Sequence, residues 1–218
     1  VRKEILALLG KEWTTEWKQK HSFSGLLFYV FCLSFVTSLA FRQSLDPFTW
    51  NAIFWIIQVF VALNAASRSF MGESRGQYET LYCLVHPNSI LVSKTIYGFG
   101  ILLLSSGLNF FLMSLFNGSV VQDFGLFCLT LVLGSLGLSA VLTLISAISS
   151  RAGNRVTLMA ILGFPVLIPL QLTILKLSKN AVDGLPWDKS YQEMLTLIAL
   201  TLITGITSYL LFPYLWRD

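Results

Sequence analysis

Long apolar runs alternate with short polar breaks along this chain. Four runs carry no Asp, Glu, Lys or Arg: Thr95–Gln122, Phe124–Ser150, Val156–Leu175 and Met194–Trp216. Each reaches the roughly 20 helical residues that cross a hydrocarbon core. Two shorter runs precede them. The pattern predicts six helices, Phe23–Phe41, Trp50–Ala66, Ser93–Phe116, Phe124–Ser149, Val156–Leu177 and Tyr191–Trp216. Turn residues mark the breaks. Asp46–Pro47 ends one element and starts the next. Asn117–Gly118 and Ala152–Gly153–Asn154 mark tight connections. Ser178–Ser190 reads as the longest outer connection, with Asp183 and Asp188 available to a partner on that side.

Two segments break the pattern in another way. Residues 1–20 mix Lys and Glu with Leu6, Leu9, Trp13 and Trp17, which are three to four apart and can share a helical face. This predicts an amphipathic helix lying along the inner leaflet. Glu4, Glu12 and Glu16 argue against a signal peptide. The second segment, residues 70–84, is polar at its start and amphipathic in its middle, and His86–Pro87 closes it. It reads as a short helix across the ends of the second and third spans. Its aromatics suit a groove on a cytosolic partner and its carboxylates suit basic groups.

Composition agrees with a membrane protein. Charged residues make up 12% of the 218, against about 25% in soluble domains. The mean hydropathy is +0.70. The net charge of +4 is explained by orientation and does not call for nucleic acid. With the N-terminus placed inside, Arg2, Lys3, Lys11, Lys18, Lys20, Arg68, Arg75, Lys94, Arg151, Arg155 and Arg217 face the cytoplasm. Only Arg42, Lys176, Lys179 and Lys189 face outward. The positive-inside rule then puts both termini in the cytoplasm. The expected fold is all-α, a single transmembrane domain over residues 1–218 with six spans, an interfacial helix at 1–20 and a cytoplasmic helix at 70–84.

Candidate chemistry is sparse. No GxxxxGK[ST] motif is present, so the chain carries no P-loop of its own. Cys32, Cys83 and Cys128 stand alone and read as packing residues. His21 and His86 read as interfacial histidines. No paired carboxylates lie in the spans, which weighs against a proton relay. Catalytic, cofactor and metal residues are therefore none. Pro165 and Pro169, with Gly163 beside them, predict a kink in the fifth span, because a proline removes a backbone donor and crowds the preceding turn. Gly134 and Gly137 predict close helix packing.

Three features carry a family likeness: SRSFMGESRGQYETLYCLVHPNSILVSKTIY at 67–97, GFPVLIPLQL at 163–172, and the plan of a basic amphipathic start followed by six spans. The matching positions in the first are Arg68, Phe70, Glu73, Gly76, Glu79, Leu81, Pro87 and Lys94. The chain resembles the cytochrome c maturation protein B family, the heme exporter membrane subunit, over essentially its full length. The resemblance implies a permease subunit of an ABC complex in the bacterial inner membrane. It implies a coupling helix at 70–84, with Phe70, Glu73, Tyr78, Glu79 and Leu81 facing a separate ATPase that binds the ATP. It further implies a C-type membrane protein carrying a WWD motif, a heme chaperone on the outer side, and a homodimer within the complex. The complex would export heme or release the heme-loaded chaperone. Two alternatives remain from sequence: an ABC permease for a lipid or other small molecule, and a non-transporting scaffold for heme-handling proteins.

Overall fold

The computed structural model describes residues 2–18, 20–41, 45–71, 85–150 and 155–215. Among these, seven helices follow in order: α1 (Arg2–Lys18), α2 (Lys20–Ala40), α3 (Pro47–Met71), α4 (Pro87–Asn117), α5 (Phe124–Ser150), α6 (Arg155–Val182) and α7 (Trp187–Leu215). The chain is an all-α polytopic membrane protein. Helices α3 to α7 each contain a stretch long and apolar enough to cross a membrane. In α2 the apolar stretch is shorter, Ser24–Ala40.

Local sequence sets the helix ends. Pro87 opens α4 at its first turn, where its fixed φ is already helical and its missing N–H costs nothing. Gly118 ends it at φ 82°, a conformation that an L side chain resists. Asp123 caps α5 by accepting a hydrogen bond from the Leu126 amide at 3.0 Å. Its other carboxylate oxygen accepts from Trp187 Nε1 at 2.9 Å. One aspartate thus starts α5 and ties down the first residue of α7.

The connection between α6 and α7 is shorter than the sequence pattern implied. Helix α6 continues to Val182 and α7 begins at Trp187, so most of Ser178–Ser190 is helical. The polar residues of that stretch had looked like a loop. Instead Ser178, fully buried, donates to Asn51 Oδ1 at 2.6 Å. The turn comes at Gly184 (φ 66°), where the Leu185 amide reaches back to the Asn180 carbonyl at 2.9 Å.

Helix α5 is the centre of the bundle. It packs against α3, α4, α6 and α7, and 72% of its most apolar stretch is buried, more than in any other of the five spans. Gly134 lets α3 approach: a Cβ there would stand 2.7 Å from Trp55 Cη2. Gly137 does the same for α6 and α7, where a Cβ would meet Leu170 and Thr201 at 3.0 Å. An aromatic cluster fills the space between α3, α4 and α5. Trp50 stacks on Phe54 at 5.5 Å, and both contact Phe127. Large side chains on the outside, among them Phe28, Phe111, Phe164 and Leu210, are exposed and suit hydrocarbon.

Buried amides fasten the remaining helix pairs, each polar atom seeking a partner where water is absent. Gln58 donates to the Leu102 carbonyl at 2.9 Å and Asn109 to the Phe54 carbonyl at 3.2 Å, joining α3 to α4. Ser34 donates to Asn109 at 3.0 Å and brings in α2. Asn51 donates to the Leu175 carbonyl at 3.1 Å while accepting from Ser178, joining α3 to α6. Asn51→Ala is expected to lower stability by on the order of 1 kcal/mol, the usual scale for such bonds inside a membrane. Thermal melting of the detergent-solubilised protein checks this; a melt identical to the parent would show that the bonds are exchanged at no net cost.

Candidate functional site

The segment singled out in the sequence, residues 70–84, is framed by the structure at both ends. Phe70 belongs to the last turn of α3, which ends at Met71. Glu73, Tyr78, Glu79 and Leu81 lie outside the described residues. The chain returns at Val85, and His86 takes an extended conformation (φ −64°, ψ 133°) before Pro87 starts α4. The segment is therefore a bridge from the end of α3 to the start of α4. Whatever acts on it acts on those two helix ends.

Both ends are fastened to the interior. Ser146 of α5 donates to the Ala66 carbonyl of α3 at 2.8 Å. Ser139 of α5 donates to the Thr95 carbonyl of α4 at 2.7 Å. Gly98 makes the second contact possible, since a Cβ there would stand 2.8 Å from Ser139 Oγ. Each serine hydroxyl bonds the backbone of a neighbouring helix. The central helix therefore feels a displacement of either end of the bridge.

Helix α1 grips the start of α4 from the other side. Lys94 Nζ lies 3.2 Å from Glu12 Oε1, with the lysine side chain only 2% exposed. Ser89 Oγ donates to Glu4 Oε2 at 2.9 Å. Leu8 is buried between the two contacts. Glu4, Leu8 and Glu12 are four apart and form one stripe. It is a different face from the apolar one that the sequence pattern marked for the leaflet. Leu6 is 69% exposed and Trp13 57% exposed, so these two turn outward while the stripe of Glu4, Leu8 and Glu12 turns in. Sequence reasoning used these glutamates only to reject a signal peptide. The available signal was Lys94 itself, a lone cation at the mouth of a 28-residue uncharged run.

A groove of about 350 Å³ opens between α3 and α6. Val59, Leu63, Met159, Phe164 and Ile168 line it, with Asn64, Ser67 and Gln171 as its polar members. Its α6 wall comes from residues between the two prolines and beside them. Helix α6 runs without a break through Pro165 and Pro169, both of them exposed. Cys32 and Cys128 are free thiols in α2 and α5. Among the described residues no group of three or more His, Cys, Asp and Glu comes together to hold a metal. His86 is exposed beside Pro87.

No curated protein and no solved structure matches the chain. One family model does: the CcmB protein model matches residues 3–212 of the 218. The match takes in α1 from Lys3, the bridge at 70–84, α2 to α6, and α7 as far as Phe212. The chain therefore belongs to the CcmB family and is the membrane permease subunit of the cytochrome c maturation heme exporter, a transporter subunit rather than an enzyme.

Proposed function

We propose that residues 70–84 form the coupling helix through which a separate ABC ATPase drives this permease. The supporting observation is the placement of the segment. It joins the inner ends of α3 and α4, and each of those ends is hydrogen-bonded to the central helix α5. In this reading ATP binds to the partner ATPase, whose closure pulls on the bridge. Phe70, Tyr78 and Leu81 enter a groove on the ATPase, while Glu73 and Glu79 meet basic groups at its rim. The two helix ends then carry the motion to α5, which touches four other helices and reorients the bundle. Pro165 and Pro169 shape α6 as the bending element.

The same reading takes α2 as the first of six spans, in the bacterial inner membrane, with both termini in the cytoplasm. The basic residues divide 11 to 4 in favour of that side. Helix α1 then lies at the inner interface with Leu6 and Trp13 toward lipid. Two copies face an ATPase dimer. A C-type WWD protein and an outer heme chaperone complete the complex, which hands heme outward or releases the loaded chaperone. Family membership sets the general lipid permease aside.

Charge reversal at the bridge tests the coupling role. Glu73→Lys is expected to lower co-purification of the ATPase at least fivefold from mildly solubilised membranes, with the permease accumulating normally. Unchanged recovery of the ATPase would overturn the coupling reading.

A further inference from the structure

We infer that α1 and the inner end of α4 move as one lever, with Glu12 and Lys94 as the positioning residues of its joint. The inference rests on the coupling reading above and adds to it the element that carries the stroke. Ser89 lies in the first turn of α4 and Lys94 two turns in, so force applied to the bridge passes both before it reaches the rest of the helix. The two contacts to α1, from Ser89 and from Lys94, span this same stretch. Between them α4 buries Ile90, Leu91 and Ser93.

The burial of the pair makes the joint stiff. Lys94 is 2% exposed, so its charge cannot turn to bulk water when the contact strains, while Glu12 keeps 19% of its surface open. Separating them would strand a charge in a medium that solvates it poorly, and a sliding helix pair avoids that state. The contact at Glu4, eight residues away on the same stripe, prevents rotation about the first contact. Helix α1 packs chiefly on α4 and less on α2, which follows it in the chain. Helix α2 in turn reaches α4 again through Ser34 and Asn109. A displacement of the bridge thus moves α4, α1 and the start of α2 together. Helix α1 serves as a working part of the permease, and its outward apolar face gives the lever a surface to slide along the leaflet.

Two variants of the full complex in native membranes test this, with three readouts: permease level, ATPase co-purification, and holocytochrome c formed per ATP hydrolysed. The neutral pair E12Q/K94M keeps the volume and removes both charges, so it is expected to accumulate and bind the ATPase within twofold of the parent. Its holocytochrome yield per ATP is expected to fall at least fivefold. The swapped pair E12K/K94E rebuilds the joint with reversed signs and is expected to recover to within twofold of the parent. A pair that served stability alone would leave yield per ATP untouched in the neutral variant. A neutral pair that couples as well as the parent overturns the inference, as does a swapped pair no better than the neutral one. Failure of the coupling reading itself would appear separately, as normal ATPase recovery in Glu73→Lys.

Discussion

Trp50→Ala is expected to destabilise the protein by about 3–5 kcal/mol, the scale for emptying a buried aromatic site. Trp50 is fully buried and stacks on Phe54, with Phe110 edge-on at 6.2 Å and Phe127 at 5.9 Å. Those rings belong to three different helices, so the void cannot be closed by one rotamer change. The cost in a membrane comes from lost packing rather than from exposure to water, because lipid tails are as apolar as the cluster. Trp50→Phe should recover most of the loss, since the indole Nε1 makes no hydrogen bond. The measurement is the thermal midpoint of the purified protein in one detergent for parent, Trp50→Ala and Trp50→Phe. A Trp50→Ala midpoint equal to that of the parent would show that the cluster repacks freely.

Gly134→Leu is expected to cost about 1–3 kcal/mol or more by overpacking. A Cβ alone at this position would already stand 2.7 Å from Trp55 Cη2 and 3.0 Å from Cζ3. The indole cannot give way easily. Trp55 is fully buried and meets Phe54 edge-on at 5.3 Å. The substitution must therefore push α3 from α5, and that is the contact through which Ser146 holds the end of α3. Activity should consequently fall further than stability alone predicts. Holocytochrome yield, normalised to the amount of folded permease, distinguishes the two effects. Gly134→Leu paired with Trp55→Leu should recover part of the loss, because the smaller side chain restores room. If the single variant melts and works like the parent, α3 and α5 are not in the close contact described.

The sequence shows its limits most clearly in α1 and α6. The leucines and tryptophans of α1 stand at helical spacing, and that regularity predicted an amphipathic helix. It could not say which side the protein uses. Leu6 and Trp13 face outward, and the glutamates find Lys94 and Ser89 more than seventy residues away. A contact of that separation leaves no local pattern. The end of α6 fails for a related reason. Ser178 and Asn180 look like loop residues because polar side chains usually seek water, but here the fold supplies Asn51 and Ser190 as partners.

The sequence by itself determined the class of this protein. Uncharged runs of membrane length leave the backbone no choice but helix, because no water is present to satisfy its polar groups. It also marked the glycines that admit close packing and the polar bridge between the second and third predicted spans. The tertiary structure decided the rest. Helix α5 became the hub because Gly134 and Gly137 admit neighbours on two sides, although α4 carries an uncharged run of similar length. The amides of α3 acquired partners only when the helices met, and the acidic stripe of α1 acquired its meaning only against the buried lysine of α4. Hydrophobic period selects helices and spans, since it acts between near neighbours. Pairing and register come from close packing and from polar groups that must be satisfied at long range, and those appear only once the bundle is assembled.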